Sequence, residues 1–380
     1  MSDAYLVKPD RKFTQEIIDS GGKSLKKCFQ CATCSVSCSL SPDSRPFPRK
    51  EMVWAQWGLK DKLLGDPDIW LCHRCSDCSV TCPRGASPGD VLAAIRDYAV
   101  RHYACPGFMG KAMGRTSLLP LMLLIPAVLI FALLAGIGHW NIPEGEVVYE
   151  HFLPHLPLQI FFGGFVVLAF ILAIVGASRF WRDMNRQLPP GKNPVGFGAG
   201  LMSAIKDVFS HGRFRKCDED KNRYFSHLLT FYGFVGLFIV TIGVVIAAYI
   251  FDYYPIPLFH PLKILGLLST IAMLIGITWI IAARTGKPES TETSTGRDWS
   301  FIGILLTVVL TGVATMVLRF ADVPSVAYPV YFIHLVVVFA LLVYLPYSRF
   351  AHMVYRTVAL IHARASGREE ESVGEAKASA

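Results

Sequence analysis

Six apolar runs constrain this chain more than any other feature in it. They cover roughly residues 116–137, 158–178, 228–250, 262–282, 300–320 and 328–347, each near the ~20 residues that cross a bilayer as helix. Hydrocarbon offers no water to backbone N–H and C=O groups, so an isolated run satisfies them only by coiling into a helix. The expected fold class is therefore mainly α, with a six-helix transmembrane bundle. Pro120 and Pro126 fall in the first run, which is expected to kink or to sit shifted in depth. Hydrophobic residues make up 52% of the 380, and the formal net charge is +8. On so apolar a chain that charge reads as basic loops beside lipid, and no nucleic acid partner is expected.

The loops alternate in charge. Glu144, Glu146 and Glu150 lie between runs one and two, and Asp322 between runs five and six with Arg319 at the edge. The other loops are basic. Arg179, Arg182, Arg186, Lys206, Arg213, Arg215, Lys216 and Arg223 lie between runs two and three, Arg284 and Arg297 between four and five, and Arg349 and Arg356 after run six. The positive-inside rule then predicts a multi-pass protein of the cytoplasmic (inner) membrane with both termini in the cytoplasm. The polar stretch from Met1 to about Lys27 lacks the apolar core of a secretory signal, which also keeps the N-terminal domain cytoplasmic. The resulting plan is a cysteine-bearing cytoplasmic domain over 1–112, a membrane domain over 113–355 with a cytoplasmic loop at about 179–226, and a cytoplasmic tail over 356–380. Leu201, Ala204, Ile205, Val208 and Phe209 recur at helical spacing in that loop and predict an amphipathic helix on the membrane interface. The small, polar, acidic stretch after about Ser366 is expected to hold no fixed structure.

Eight of the ten cysteines fall within 28–82. Cys28, Cys31, Cys34 and Cys38 are spaced C-x2-C-x2-C-x3-C, and Cys72, Cys75, Cys78 and Cys82 repeat that spacing, with Pro83 following. In a reducing compartment such runs point to metal rather than disulfides. Two complete four-cysteine runs suit iron–sulfur chemistry better than zinc, which takes separated two-cysteine knuckles. In two-cluster ferredoxin-like folds the fourth cysteine of each run reaches across to the other cluster. One [4Fe–4S] cluster is thus assigned to Cys28, Cys31, Cys34 and Cys82, and a second to Cys72, Cys75, Cys78 and Cys38. Cys105 and Cys217 have no spacing partner and read as free thiols.

An ionisable residue within a membrane span is a functional candidate. His334 lies in the sixth run and His352 just past it. On one continuous helix their separation is five full turns, which puts both on one face about 27 Å apart. That spacing suits two b-type haems stacked across the bilayer, each held by imidazoles from facing helices. His227, at the start of the third run, pairs with His352. His260 is the first choice to pair with His334, and His155 the alternative. His211 reads as an interface residue, and His73 and His102 as ordinary surface or supporting groups.

These motifs carry a resemblance. The cysteine half resembles the small iron–sulfur subunit of heterodisulfide reductase. The membrane half is similar to the cytochrome b subunit of that enzyme and of respiratory nitrate reductase. The order of fusion, from about Cys28 to His352, resembles the membrane subunit of the quinone-interacting membrane-bound oxidoreductase complex. In the nitrate-reductase type, one helix carries two haem ligands ten residues apart and a later helix two eighteen apart. His334 and His352 match the later pair and His227 the first earlier position, but Leu237 stands at the second. The resemblance implies one haem b or two, with two favoured, and menaquinone as substrate. It also implies flavin-containing soluble subunits as partners, with adenylylsulfate reductase beyond them. A quinol-linked subunit of heterodisulfide-reductase type is the alternative with the same cofactors. A non-redox membrane anchor or transporter with a structural metal domain is the alternative of another class. Gly196, Gly198 and Gly200 form no dinucleotide fingerprint, because Leu201 stands where the third glycine would fall and no strand precedes them.

Overall fold

The computed structural model of the chain describes residues 8–368, apart from 44, 140, 189–192, 218–220, 252–255, 258 and 287–293. Every regular element among the described residues is helical. The tail beyond Arg368, where no fixed structure is expected, lies outside them.

The cysteine-bearing part is built from short helices around one long one. Helix α1 (Arg11–Asp19) starts where the Asp10 carboxylate accepts from the Phe13 N–H at 3.0 Å, and it buries Phe13 and Ile17 four residues apart on one face. Helices α2 (Arg49–Gln56) and α3 (Asp68–Leu71) lie beside α4 (Pro88–Tyr103), which places proline at its first position, where no N–H is needed. α4 is buried along most of its length, through Val91, Leu92, Ile95, Ala99 and Tyr103. The core so formed does not end with this part of the chain. Phe13, Met52, Trp70 and Ile95 share it with Phe180, Met184, Ala351, Tyr355 and Ala359. Each large side chain fully buried there contributes about 1.5–3 kcal/mol, so the cysteine part and the bundle are held as one body by ordinary hydrophobic packing.

Helix α5 (Gly107–Met113) leads into the bundle. Among the described residues, six helices are long and apolar enough to cross a membrane: α6 (Leu119–Gly136, with its leading turn from Thr116), α7 (His155–Arg186), α9 (Lys221–Tyr249), α10 (Pro261–Thr285), α11 (Gly296–Phe320) and α12 (Pro324–Val343). Pro126 lies inside α6, as expected from the sequence. α9 and α10 pack at backbone contact through small residues. A Cβ on Gly276 would meet the Thr230 N at 2.8 Å, and one on Gly233 the Ser269 O at 2.8 Å. α11 opens with a reciprocal cap between Thr295 and Asp298.

Two expectations need correction. The sixth run is not one continuous helix into His352. α12 ends at Val343, a single turn covers Leu345–Tyr347, Ser348 is extended, and α13 (Ala351–Ala365) then starts afresh. Pro346 is the physical reason, since it lacks an N–H and its ring clashes with the preceding turn. The argument that His334 and His352 share one helical face therefore does not hold. The amphipathic segment does form a helix, α8 (Leu201–Ser210), but its buried face turns inward: Ala204 is fully buried beside α13, and Asp207 ion-pairs with Arg364. Ile205 and Phe209 remain exposed on its other side.

Candidate redox centres

Both cysteine runs fold the same way. In the first, Gln30 and Ala32 take left-handed backbone (φ 61° and 71°), and in the second Arg74 and Ser76 do so at equivalent positions (φ 54° and 73°). Non-glycine residues pay roughly 1–2 kcal/mol each for this conformation, so its repetition marks a functional demand. The demand is visible in the loop. The Gln30 N–H donates to Cys28 Sγ at 3.4 Å, the Arg74 N–H to Cys72 Sγ at 3.3 Å and the Ala86 N–H to Cys82 Sγ at 3.3 Å.

The structure brings the eight sulfurs into two groups. Burial pushes the Cys34 thiol up to about 11, aided by the charges of Cys28, Cys31 and Cys82. Burial likewise pushes Cys38 up to about 12, with Cys72 and Cys75 adding to it. Cys78 is raised by burial and then by Cys72, Cys38 and Cys75. Four crowded thiolates repel one another unless cations sit among them, so the donor set fits an iron–sulfur cluster in each group. Cys217 is not an isolated thiol. It is buried, and its sulfur lies with Cys75 Sγ and an Asp77 oxygen within 4.8 Å. Nothing in the sequence spacing marks it, because it arrives from the loop between α8 and α9. That loop is tied down by Ser39 donating to the Lys216 carbonyl and by Arg223 donating to the Arg74 carbonyl at 2.6 Å.

Between the cysteine part and the adjacent end of the bundle lies a cavity of about 640 Å³. His227 from α9 and His352 from α13 both line it, together with His73, His211 and Phe214. His352 Nδ1 lies 2.6 Å from the Arg349 carbonyl, an arrangement that fixes a donor at Nδ1 and leaves Nε2 as the free lone pair. His227 Nδ1 is buried without a hydrogen-bond partner. Burial holds the His352 imidazole down to about 4, and burial with Arg356 and Arg213 holds His73 well below its ordinary value. Neutral imidazoles are the metal-binding form. The cavity wall also carries Arg74, Arg96, Arg213, Arg223 and Arg356, suited to an anionic edge such as carboxylate. These residues fit haem b. His73 and His211 therefore differ from their expected places, since both are buried and face this cavity.

The other predicted ligands lie elsewhere. His334 packs on α11, its Nδ1 2.9 Å from Thr311 Oγ1 and its ring 3.2 Å from where a Gly312 Cβ would stand. His260 caps α10, its Nδ1 accepting from the Leu262 N–H at 3.2 Å. His155 begins α7, 3.7 Å from Glu150. None of these three lines the cavity, and Leu237 packs in the apolar core between α9, α10 and α11.

This arrangement defines a membrane-embedded electron-transfer protein with an iron–sulfur dicluster domain. The chain belongs to the Citrate utilization protein B family, whose pattern it matches over residues 112–373, and it matches a 4Fe-4S dicluster domain over residues 24–86. Citrate utilization protein B of Escherichia coli is 29% identical over 311 residues, covering 77% of this chain and 80% of that protein. One subunit of the H(2):CoB-CoM heterodisulfide,ferredoxin reductase of Methanothermobacter marburgensis is 39% identical over 106 residues, 27% of this chain and 54% of the relative. An iron–sulfur subunit of the CoB–CoM heterodisulfide reductase of Methanopyrus kandleri is 34% identical over 89 residues, 23% of this chain and 44% of the relative. The chain thus spans about half the length of these two reductase relatives. No solved structure matches it significantly. It joins an iron–sulfur domain of heterodisulfide-reductase type to a membrane region of Citrate utilization protein B type.

Proposed function

We propose that the chain links a membrane quinone pool, through haem b and two [4Fe–4S] clusters, to soluble flavin-containing partner subunits. Cys28, Cys31, Cys34 and Cys82 hold one cluster and Cys38, Cys72, Cys75 and Cys78 the other. His227 and His352 hold the haem. The cofactors supply one-electron carriage, and the chain supplies position and environment. The observation that carries this reading is the meeting of His227 and His352 in one cavity whose wall includes His73, the neighbour of Cys72. The reading rests on the haem between His227 and His352, the two proposed ligands that share a cavity. Both termini and the cysteine part face the cytoplasm, menaquinone is the lipid-soluble substrate, and adenylylsulfate reductase is the onward acceptor. The heterodisulfide reductase relatives favour a second reading with the same cofactors, in which the partner is a heterodisulfide-reducing subunit.

The test is His352→Ala in the purified, detergent-solubilised chain, with pyridine haemochrome and iron determined on one sample. Haem is expected to fall to a small fraction while iron stays near eight per chain, the content of two four-iron clusters. Unchanged haem would remove the ligand assignment. Zinc in place of iron would restore the anchor reading.

A further inference from the structure

A second, smaller cavity of about 110 Å³ lies against the first. The two share a wall of five residues, Trp70, Arg96, Phe301, Arg349 and His352, so one face of His352 serves each side. At one end the small cavity is apolar. Leu119 and Met122 lie in the first turns of α6, and Ile304 lies two turns into α11, at the depth where both helices enter the apolar layer. At the other end it is polar. Asp97 is buried there, 2.7 Å from Arg297 and paired also with Arg349. Three buried donors on its lining residues have no hydrogen-bond acceptor: Trp70 Nε1, Arg101 Nη2 and Arg349 Nε. Buried donors without acceptors are rare and call for an occupant.

We propose that this small cavity is the quinone site, taking the carbonyl-bearing ring at the Arg101–Trp70 end and leading the isoprenoid tail out past Leu119 and Ile304. The inference rests on the function proposed above and adds where the quinone binds. The cavity has room for roughly seven to eleven water-sized groups at the ~10–15 Å³ that one occupies, enough for a compact ring system and too little for a folded lipid. Uncharged carbonyl oxygens satisfy the three donors without setting a second anion beside the Asp97 carboxylate, as a lipid phosphate would. Sharing a wall with the histidine cavity is what an electron donor or acceptor needs. A structural lipid has no use for it.

The test uses the full chain in detergent and follows fluorescence quenching of an alkyl hydroxyquinoline N-oxide, a quinone analogue, with short-chain menaquinone as competitor. Ile304→Trp fills the apolar end, and Arg101→Gln removes a donor at the polar end. Each is expected to weaken binding at least ten-fold, with haem and iron content unchanged. Wild-type binding that persists in both variants overturns this site while leaving the quinone link standing. A wild-type chain that holds haem and clusters but binds no probe overturns the quinone link and this site together. If Ile304→Trp lowers co-purifying lipid phosphorus and leaves probe affinity intact, the occupant is a phospholipid and the proposal fails. Should Ile304→Trp lose haem through misfolding, Arg101→Gln alone decides by the same criteria.

Discussion

Gly276 lies where α10 touches α9, against Ser226 and Thr230, which flank His227 along its helix. A Cβ built on it meets Thr230 Oγ1 at 2.5 Å, the Thr230 N at 2.8 Å and the Ser226 O at 2.9 Å. A threonine hydroxyl can rotate away, but the two backbone atoms cannot. Ordinary contact begins at 3.4 Å, so Gly276→Ala requires α9 to retreat by 3.4 − 2.8 = 0.6 Å from the nitrogen and 3.4 − 2.9 = 0.5 Å from the oxygen. Overpacking of this kind costs roughly 1–3 kcal/mol. If α9 moves to relieve it, His227 moves too, and haem affinity falls by roughly 5- to 150-fold at 1.4 kcal/mol per decade. Gly303→Ala on α11 is the control, because a Cβ there meets nothing within 4 Å. Both substitutions gain the same ~1 kcal/mol of helix propensity, so that term cancels in the comparison. Haem per chain after dilution and the thermal midpoint in one detergent are the readouts, and iron content should not change. Equal haem retention and equal midpoints for the two variants would refute the claim that backbone contact between α9 and α10 positions His227.

Three further outcomes follow from the same structure. Cys217→Ala removes a donor to Cys75, and with it ~1 kcal/mol of support for the more negative, reduced cluster. The potential of that cluster should drop by about 40 mV in an EPR-monitored titration, since 59 mV is a decade for one electron. Asp298 is buried, 2.9 Å from Arg349 and 4.0 Å from Arg74, which keep Asp97 and Asp90 as partners, so Asp298→Ala should cost about 1.5–3 kcal/mol, read as a lowered thermal midpoint. Glu51 is fully buried among Lys50, Asp66 and Asp68, with Arg368 on Asp68, and burial pushes its carboxyl from 4.5 up to about 8. The folded chain then holds a proton that the unfolded chain has released, so stability is greatest below pH ~4.5 for this group and is lost as pH rises through about 8. Glu51→Gln should flatten the decline in thermal midpoint between pH ~4.5 and ~8, and an equally steep decline in the variant would remove Glu51 as its source.

What the sequence made legible was whatever local pattern dictates. Six apolar runs became six helices because a membrane span is decided within its own length. The repeated four-cysteine spacing marked the cysteine part as an iron–sulfur domain, which the match to a 4Fe-4S dicluster domain over residues 24–86 bears out. What the sequence hid was tertiary. His73 looks like an ordinary neighbour of Cys72 until α9 and α13 close over it. Cys217 has no partner by spacing, since the loop that carries it crosses back onto the cysteine part. The sixth run misled because its apolar stretch runs on through Leu345–Tyr347, where Pro346 lacks the N–H that a continuing helix needs. The smaller cavity was unreadable for a similar reason, as its walls come from α3, α4, α5, α6, α11, α13 and the turn at Tyr347.

The break after Val343 also sets an order of manufacture. It turns α13 back so that Arg356 donates to the Leu71 carbonyl across 285 residues, and Arg368 reaches Asp68 across 300. An earlier-translated segment is therefore finished by a later one. Until residues 351–368 emerge, Trp70 lacks the Tyr355 ring that stacks on it at 5.2 Å, and neither cavity has its fourth side. A nascent chain can fold its cysteine loops early, but both cavities gain the His352 wall only after this later segment has emerged.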